Sequence, residues 1–334
     1  MKIVSLALVA SLALVGAADA ATPPLKITQR IAGPDGPWDY ANFDPAHHRL
    51  YVAHGAMITA IDVDTGKVTP SLLPAQKAHI ALPLPGGDEI LVTNGSSNTA
   101  VLANAMTGAV RATIPTGVSP DAALIEPTTG LALVMNGHGG DITLIDLKAG
   151  QAVGAIPVGG TLEFGAADGQ GRVFVNIEDT GEIAVIDMAA RKVTAHWKLD
   201  GCEEPSGLAY AASSKVLISA CANGVAKAVS AADGKIVSTL KIGPKPDAAF
   251  FDPARNLAYI PSGGDGTLSV IAVRSATDVA VVGKITTQPG SKTGTIDPTT
   301  GKVYLPSAKY DAPAKPGGKP VQQPGTFAVL VLDR

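Results

Sequence analysis

The sequence predicts an all-β fold that is built from one short unit repeated along the chain. In the clearest copy, residues 117–158, four short apolar runs are each closed by a turn signal, a pattern typical of successive antiparallel strands. The position held by Asp121 recurs at spacings of 40, 42, 42, 43, 41 and 45 residues. Four strands every 40–45 residues is the period of a β-propeller blade, and seven copies predict a closed seven-bladed ring.

The repeat predicts that residues 21–334 form a single propeller domain, although a chain of 334 residues usually contains about two domains. Residues 25–32 match the fourth strand of a blade, and residues 327–333 match a third strand, after which the chain ends. The last blade is therefore one strand short. We expect the N-terminal strand to complete this seventh blade and so to cover the open sheet edges.

The first 20 residues have the composition of a cleaved secretory signal peptide. Lys2 precedes an apolar run from residue 3 to residue 16, and small residues at 18 and 20 precede Ala21. An uncleaved amphipathic anchor is the alternative. Neither this run nor any later one is long enough for a transmembrane helix. The sequence therefore predicts a periplasmic or secreted protein without a transmembrane segment.

The chain has two cysteines, Cys202 and Cys221. In an oxidising compartment they are expected to pair, because an antiparallel hairpin of the fifth repeat brings them together. Two free buried thiols are the alternative, if the backbones lie too far apart for a bridge. No Cys-x-x-Cys-His sequence occurs, which excludes covalently attached haem.

The charge balance limits the classes of partner. The formal net charge is -3 and charged residues make up 16% of the chain, so no single-sign surface favours duplex nucleic acid or an anionic membrane. Aromatic side chains suited to base stacking are few, which leaves single-stranded nucleic acid as a lesser alternative. An unidentified protein or a small molecule is the expected partner.

The seventh repeat carries an insertion of about 16 residues within residues 308–325, judged against the blade period. Its Pro, Gly and Lys content predicts a flexible loop that does not pack into the core. Two interpretations remain open: a solvated insertion without function, or a basic lid over the centre of the ring.

The second strands end in Tyr-Val-Ala-His54, Leu-Val-Thr-Asn94 and Leu-Val-Met-Asn136, and Ile-Asp-x-x-Thr-Gly turns follow at several repeats. Over nearly all of the mature chain these motifs resemble the YVTN-repeat β-propeller family, in a lactonase-like and quinoprotein-amine-dehydrogenase-like superfamily. The resemblance implies a seven-bladed ring. Relatives of this kind include binding proteins, lactonases and subunits of amine-oxidising enzymes, so the resemblance implies no single activity.

In such a blade the first strand begins, and the second strand ends, on the same face. That face should gather the residues equivalent to Asp121 around the axis: Asp39, His79, Asp121, Glu163, Ser206, Asp247 and Lys292. The second-strand ends should lie beside them, with a histidine from the next loop: His54, Asn94, Asn136, His138, Cys221, Ser262 and Ser307. Ten of these fourteen residues, all except the three serines and Cys221, are predicted to bind a ligand.

Asp39, His79, Asp121 and Glu163 come from four consecutive repeats and form a candidate metal site. Oxygen ligands with one imidazole suit a divalent cation such as Ca²⁺, Mn²⁺ or Zn²⁺. Asp247 and Lys292 flank this sector from the other side and could pair with each other. His47, His48 and His196 are assigned to surface turns or an outer strand.

Three functions are consistent with these residues. We expect a non-enzymatic exported protein that binds a partner, a small ligand or a metal at this face. The alternative is a metal-dependent, lactonase-like hydrolase acting at the same face, in which the cation polarises a carbonyl. A polar channel mouth without a ligand is the third interpretation. No Gly-x-Ser-x-Gly motif supports a serine hydrolase.

Overall fold

The computed structural model describes residues 25–312 and 320–334. The predicted signal peptide, residues 1–20, and the middle of the predicted insertion, residues 313–319, lie outside the described residues. Within the described ranges every regular element is a β-strand. None of the described residues forms a helix long and apolar enough to cross a membrane.

The strands form antiparallel sheets arranged as the blades of a β-propeller. One six-stranded sheet contains β2 (Ala41–Asp44), β3 (Arg49–Asp62), β4 (Val68–Pro83), β5 (Glu89–Asn94), β6 (Thr99–Asn104) and β7 (Val110–Pro115). The next two sheets contain β8 (Pro120–Ile125), β9 (Ala132–Asn136), β10 (Asp141–Asp146) and β11 (Gln151–Pro157), then β12 (Leu162–Ala167), β13 (Arg172–Ile177), β14 (Glu182–Asp187) and β15 (Lys192–Lys198).

Three further four-stranded sheets complete the ring. They contain β16 (Pro205–Ala211), β17 (Val216–Cys221), β18 (Val225–Ser230) and β19 (Ile236–Lys241), then β20 (Phe250–Asp252), β21 (Leu257–Ser262), β22 (Thr267–Val273) and β23 (Val279–Thr286), and finally β24 (Thr295–Ile296), β25 (Val303–Ser307), β28 (Ala328–Asp333) and β1 (Lys26–Ala32). A separate hairpin joins β26 (Tyr310–Asp311) to β27 (Val321–Gln322).

The expected count of seven separate blades is wrong, since the described strands of the ring form six sheets. The first two repeats share one sheet, because β3 and β4 are continuous strands of 14 and 16 residues. Residues 73–78, which join these repeats, contain no glycine, whereas the equivalent segment at 115–120 does. Gly117 in that segment lies too close to the side chains of Asn136 and Asp141 for a Cβ, whereas at 73–78 the strand continues through the junction with an irregular register between Ala78 and Ala81.

The predicted closure of the ring by the N-terminal strand is confirmed. β1 pairs antiparallel with β28, from Lys26 opposite Asp333 to Ala32 opposite Ala328. On the other side β28 pairs with β25, so the last sheet takes its outer strand from the beginning of the domain. This pairing joins the first and last strands of the described residues through backbone hydrogen bonds and leaves β28 without a free edge.

The inner strand segments of consecutive repeats contact one another around the axis, and those of the last repeat contact those of the first. Small side chains allow this close approach. Ala41, Ala81 and Ala123 are all buried there. A Cβ on Gly207 would lie 2.3 Å from the backbone of Ala248, so only glycine fits at this contact between β16 and the segment before β20.

The predicted disulfide between Cys202 and Cys221 is present, with the two Cα atoms 5.3 Å apart. It joins the loop before β16 to the end of β17, within one sheet. The bridge closes a segment of 19 residues, which restricts the unfolded chain and is expected to stabilise the fold by about 3 kcal/mol.

The described ends of the insertion are ordered, which corrects the expectation of a flexible loop for this part. Tyr310 pairs with Gln322, and Asp311 pairs with Val321. The side chain of Asp35, in the loop after β1, accepts hydrogen bonds from the Gln322 side chain at 3.1 Å and from the Phe327 backbone at 3.2 Å. The hairpin is thus attached to the N-terminal segment.

Candidate cation site at the axial mouth

We use the term axial mouth for the seven residues at the start of the inner strands on one face of the ring: Asp39, His79, Asp121, Glu163, Ser206, Asp247 and Lys292. Hydrogen bonds cross from repeat to repeat at this level. Examples are Tyr40 N to His79 O at 3.0 Å, Thr93 Oγ1 to Asp121 O at 2.7 Å and Asp247 N to Lys292 O at 3.1 Å. These contacts agree with the sequence prediction that the seven residues converge on one face of the ring.

A repeated irregularity in the inner strands positions the side chains of the axial mouth. In four repeats the pairing of the first strand with the second skips a residue, and the skipped segment contains His79, Asp121, Glu163 or Ser206. An extra residue of this kind is a β-bulge, which redirects a side chain away from the regular pleat. The bulge therefore takes the mouth residue out of the alternating pattern that would bury it between sheets.

Asp39, His79 and Asp121 form the tightest group in the axial mouth. The Nδ1 atom of His79 lies 2.7 Å from Oδ2 of Asp39 and 3.5 Å from Oδ2 of Asp121. One ligand atom from each of the three residues lies within 4.8 Å of the others. The Nε2 atom of His79 is buried and has no hydrogen-bond partner among the described residues. This spacing is compatible with one shared cation.

The electrostatics of the site follow from burying several carboxylates together. Burial and the charge of Asp39 raise the pKa of Asp121 to about 7. Burial, together with the charges of Asp121 and Asp247, raises the pKa of Glu163 to about 10. Each acid is therefore harder to ionise than a free carboxyl group, and Glu163 keeps its proton at neutral pH.

The pKa of His79 is also raised, but for this base a raised pKa favours the charged form. Burial of the ring acts to lower its pKa, but the hydrogen bond to Asp39 and the negative charge of Asp121 outweigh burial, so the pKa is raised. The imidazole is therefore stabilised as a cation between two carboxylates. A metal ion at this position would have to displace that proton.

On the other side of the axial mouth, Lys292 and Asp247 form the ion pair that the sequence predicts. Burial raises the pKa of Asp247, and the charge of Lys292 counteracts this effect. The neighbouring carboxylates Asp247 and Asp39 raise the pKa of Lys292 against the effect of burial. This half of the axial mouth supplies its own cation.

Glu163 and the second-strand ends lie outside the three-residue group. Asn94 Oδ1 accepts a hydrogen bond from Gln76 N at 2.8 Å, and Asn136 Nδ2 donates to Asp141 and Thr143 at 3.0 and 2.9 Å. His54 is buried with its ring centroid 4.5 Å from that of Phe327. These side chains support turns and packing. Of the remaining predicted residues, Cys221, Ser262 and Ser307 are buried and His138 is exposed.

A cavity of about 330 Å³ beside the axial mouth contains residues that the sequence analysis missed, among them Glu178, Glu204 and Lys245. Burial and the charge of Glu204 raise the pKa of Glu178. The sequence contained a signal for Glu178. In the other repeats the second strand ends fifteen residues after the mouth residue, and Glu178 lies fifteen residues after Glu163. Glu204 and Lys245 lie two residues before mouth positions, each with a positive φ that directs the chain into the inner strand.

Three histidines assigned to the surface do form ion pairs outside the axial mouth. His47 Nδ1 lies 2.9 Å from Asp44, His48 Nδ1 lies 3.1 Å from Asp64, and His196 Nδ1 lies 3.3 Å from Glu182. His48 and Asp64 are 61% and 68% exposed, whereas His79 and Asp39 are 12% and 18% exposed. Only the pair at the axial mouth combines burial with a second carboxylate.

Comparison with known proteins identifies the fold class. No family model matches the chain, and no curated protein matches it. Among solved structures, a chain of the Mitotic Checkpoint Complex has a TM-score of 0.76 at 12% identity, over 100% of this chain and 99% of that chain. The WD40 repeats of RRP9 have a TM-score of 0.75 at 9% identity, over 92% of this chain and 100% of that one.

A chain of hydrazine synthase from Kuenenia stuttgartiensis has a TM-score of 0.67 at 18% identity, over 84% of this chain and 95% of that chain. These similarities define the protein as a β-propeller. At such low identity they establish the fold alone, because propellers of one architecture carry many unrelated functions.

Proposed function

We propose that the protein is an exported β-propeller that binds a divalent cation at the axial mouth, through Asp39, His79 and Asp121. The observation that carries this proposal is the grouping of the three ligand atoms within 4.8 Å in a half-buried setting. Glu163 adds a third carboxyl group to the same half of the axial mouth, where its charge interacts with that of Asp121. Ca²⁺, Mn²⁺ and Zn²⁺ are the candidates for two carboxylates and one imidazole.

The raised pKa values support a binding role. Burial and the neighbouring carboxylates raise the pKa values of Asp121 and Glu163, and the single imidazole of His79 does not offset this effect. A divalent cation supplies further positive charge and favours the ionised carboxylates. Binding would then release protons from Asp121 and His79, so the affinity is expected to rise from about pH 6 to about pH 8.

The disulfide supports an oxidising compartment, which agrees with an exported location. The repeat motifs support membership of the YVTN-repeat family, as the sequence resemblance implies. A protein partner at the same face is a compatible extension of this function, since one similar structure belongs to the Mitotic Checkpoint Complex.

The test is metal analysis of protein purified without chelator, followed by calorimetric titration with each cation at about pH 8. Asp121→Ala should weaken binding at least about tenfold, the smallest loss expected even for a residue that only supports a metal ligand. His48→Gln alters a similar histidine–aspartate pair on the exposed surface and should leave binding unchanged. Absence of stoichiometric binding by the unaltered protein, or equal loss in both variants, contradicts the proposal.

Lactone hydrolysis is the second candidate function, and the position of Glu163 favours it. Its carboxyl group belongs to the same half of the axial mouth as Asp121, where a general acid could protonate a leaving alkoxide. Turnover of simple lactones with the bound cation, lost in Glu163→Gln while cation binding persists, would support hydrolysis. Cation binding without lactone turnover would leave the non-enzymatic function.

A further inference from the structure

A second cavity lies along the axis, beyond the floor of the axial mouth. It has a volume of about 240 Å³, and its lining comes from positions one to four residues further along the inner strands than the mouth residues. The lining is mainly apolar and includes Phe164, Leu208, Phe250 and Phe251, with alanines and glycines between them. We call this cavity the axial well.

Tyr40 separates the axial well from the axial mouth. Its ring centroid lies 5.1 Å from that of Phe164, and its hydroxyl group donates a hydrogen bond to the backbone oxygen of Asp247 at 3.4 Å. These partners belong to the fourth and sixth repeats, so the tyrosine side chain crosses the axis from the first repeat. Tyr40 is only 3% exposed, and it places the charged groups and the apolar cavity on opposite sides of one ring.

The axial well has an entrance on the face opposite the axial mouth. A wider depression of about 500 Å³ on that face is lined by turn residues such as Pro45 and Gly86. This depression shares Asn42 and Thr295 with the axial well, so the two cavities are adjacent and these two side chains lie between the well and solvent.

Asn42 gives the axial well a specific polar group. Its Nδ2 atom is buried and has no hydrogen-bond partner among the described residues. A buried amide donor without a partner costs free energy, which a ligand oxygen would recover. Small-molecule sites commonly combine an apolar wall with a few polar groups of this kind.

We propose that the axial well is a second ligand site, selective for a compact uncharged molecule that has an apolar or aromatic body and one carbonyl oxygen. An apolar cavity of about 150 Å³ accommodates benzene, so about 240 Å³ suffices for an aromatic ketone. The apolar body contacts Phe164 and Phe250, and the oxygen accepts the Asn42 hydrogen bond. Charged ligands are excluded, because the lining holds no countercharge.

The proposal is tested with acetophenone as probe and toluene as its apolar counterpart, by ligand-observed NMR and calorimetric titration of the full mature protein. Acetophenone should bind with a Kd on the order of 1 mM, as expected for so small a ligand. Asn42→Leu should weaken acetophenone binding about five- to tenfold and leave toluene binding unchanged. Equal weakening of both ligands would contradict the role of Asn42.

Thr295→Phe places a ring at the shared rim and should abolish binding of both probes. Thr277→Phe, in an exposed turn, is the matched control. The melting temperature of each variant establishes that it is folded, and divalent-cation titration establishes that the axial mouth is intact. Acetophenone binding that survives in Thr295→Phe, or no binding to the unaltered protein, overturns the proposal. Asp121→Ala should not change acetophenone binding, so failure of the cation site and failure of the axial well are distinguishable.

Discussion

The two halves of the axial mouth accommodate buried carboxylates in different ways. In the half formed by the sixth and seventh repeats, Asp247 pairs with Lys292. In the half formed by the first four repeats, three carboxyl groups share the single imidazole of His79, and two of them have strongly raised pKa values. The comparison shows that equivalent positions of the repeat differ in charge, because the seventh repeat supplies a lysine that pairs with Asp247 and the first four repeats supply none at this position. The half without a lysine is the one suited to an external cation.

The largest expected effect is a pH dependence of stability that originates in the half without a lysine. Since the pKa of Asp121 is raised from 3.8 to about 7, the unfolded chain ionises first as the pH increases. The ionisation of Asp121 alone should therefore lower the free energy of unfolding by up to about 4 kcal/mol between about pH 4 and about pH 7. Urea denaturation across this range measures the decrease.

Asp121→Asn should remove the part of the decrease that belongs to Asp121, while Glu163, whose pKa is also raised, continues to lower the stability as the pH increases. Asp64→Asn, at an exposed carboxylate, should retain the whole decrease. Addition of the bound cation should restore stability at the upper end of the range, because ligand binding to the folded state shifts the equilibrium. Identical pH profiles for the unaltered protein and Asp121→Asn would show that the two halves do not differ in this respect.

The next effect concerns the boundary between the halves, where the fifth repeat contributes the uncharged Ser206. Replacing both Cys202 and Cys221 by serine should lower the free energy of unfolding by about 3 kcal/mol. If the disulfide only restricts the unfolded chain, the cation affinity of the axial mouth will be unchanged. A parallel loss of cation binding would mean that the bridge also positions the mouth residues.

The smallest effect is expected in the half that is already paired. Lys292→Ala leaves Asp247 without its cation, but Lys292 is 44% exposed and solvent screens the pair, so the loss should be about 1–2 kcal/mol. Lys284→Ala breaks an exposed pair with Asp265 and should cost less than about 1 kcal/mol. Denaturation at neutral pH compares them. Equal losses would show that the mouth pair is an ordinary surface ion pair.

Much of the architecture was predictable because each repeat carries its own local signals. The alternating apolar runs predicted the four strands of each repeat. The first segment has one strand too many and the last repeat one too few, which predicted the pairing of β1 with β28. The number of separate sheets was not predictable in this way. Whether β3 and β4 break or continue depends on hydrogen bonding between repeats, which the apolar pattern of one repeat does not contain.

The candidate site was predictable only in part. The spacing identified Asp39, His79 and Asp121 correctly as neighbours, since the same position of each inner strand reaches the same face. The same reasoning placed Asn94 and Asn136 beside them, but Asn94 accepts a hydrogen bond from Gln76 in β4 and Asn136 donates one to Asp141 in the following turn. The spacing of residues along the chain predicts which face of the ring they occupy. The direction of each side chain depends on β-bulges and on local hydrogen-bond partners.

The sequence by itself determined that the chain forms four-stranded units, that its ends meet, and that the two cysteines lie within one hairpin. These properties depend on local periodicity and on counting strands, which need no knowledge of distant contacts. Only the tertiary structure decided that Asp247 pairs with Lys292 while Asp39 and Asp121 approach His79, and that the Tyr40 side chain packs across the axis against Phe164. Both outcomes depend on distances between residues of different repeats, because burial and charge act through space rather than along the chain.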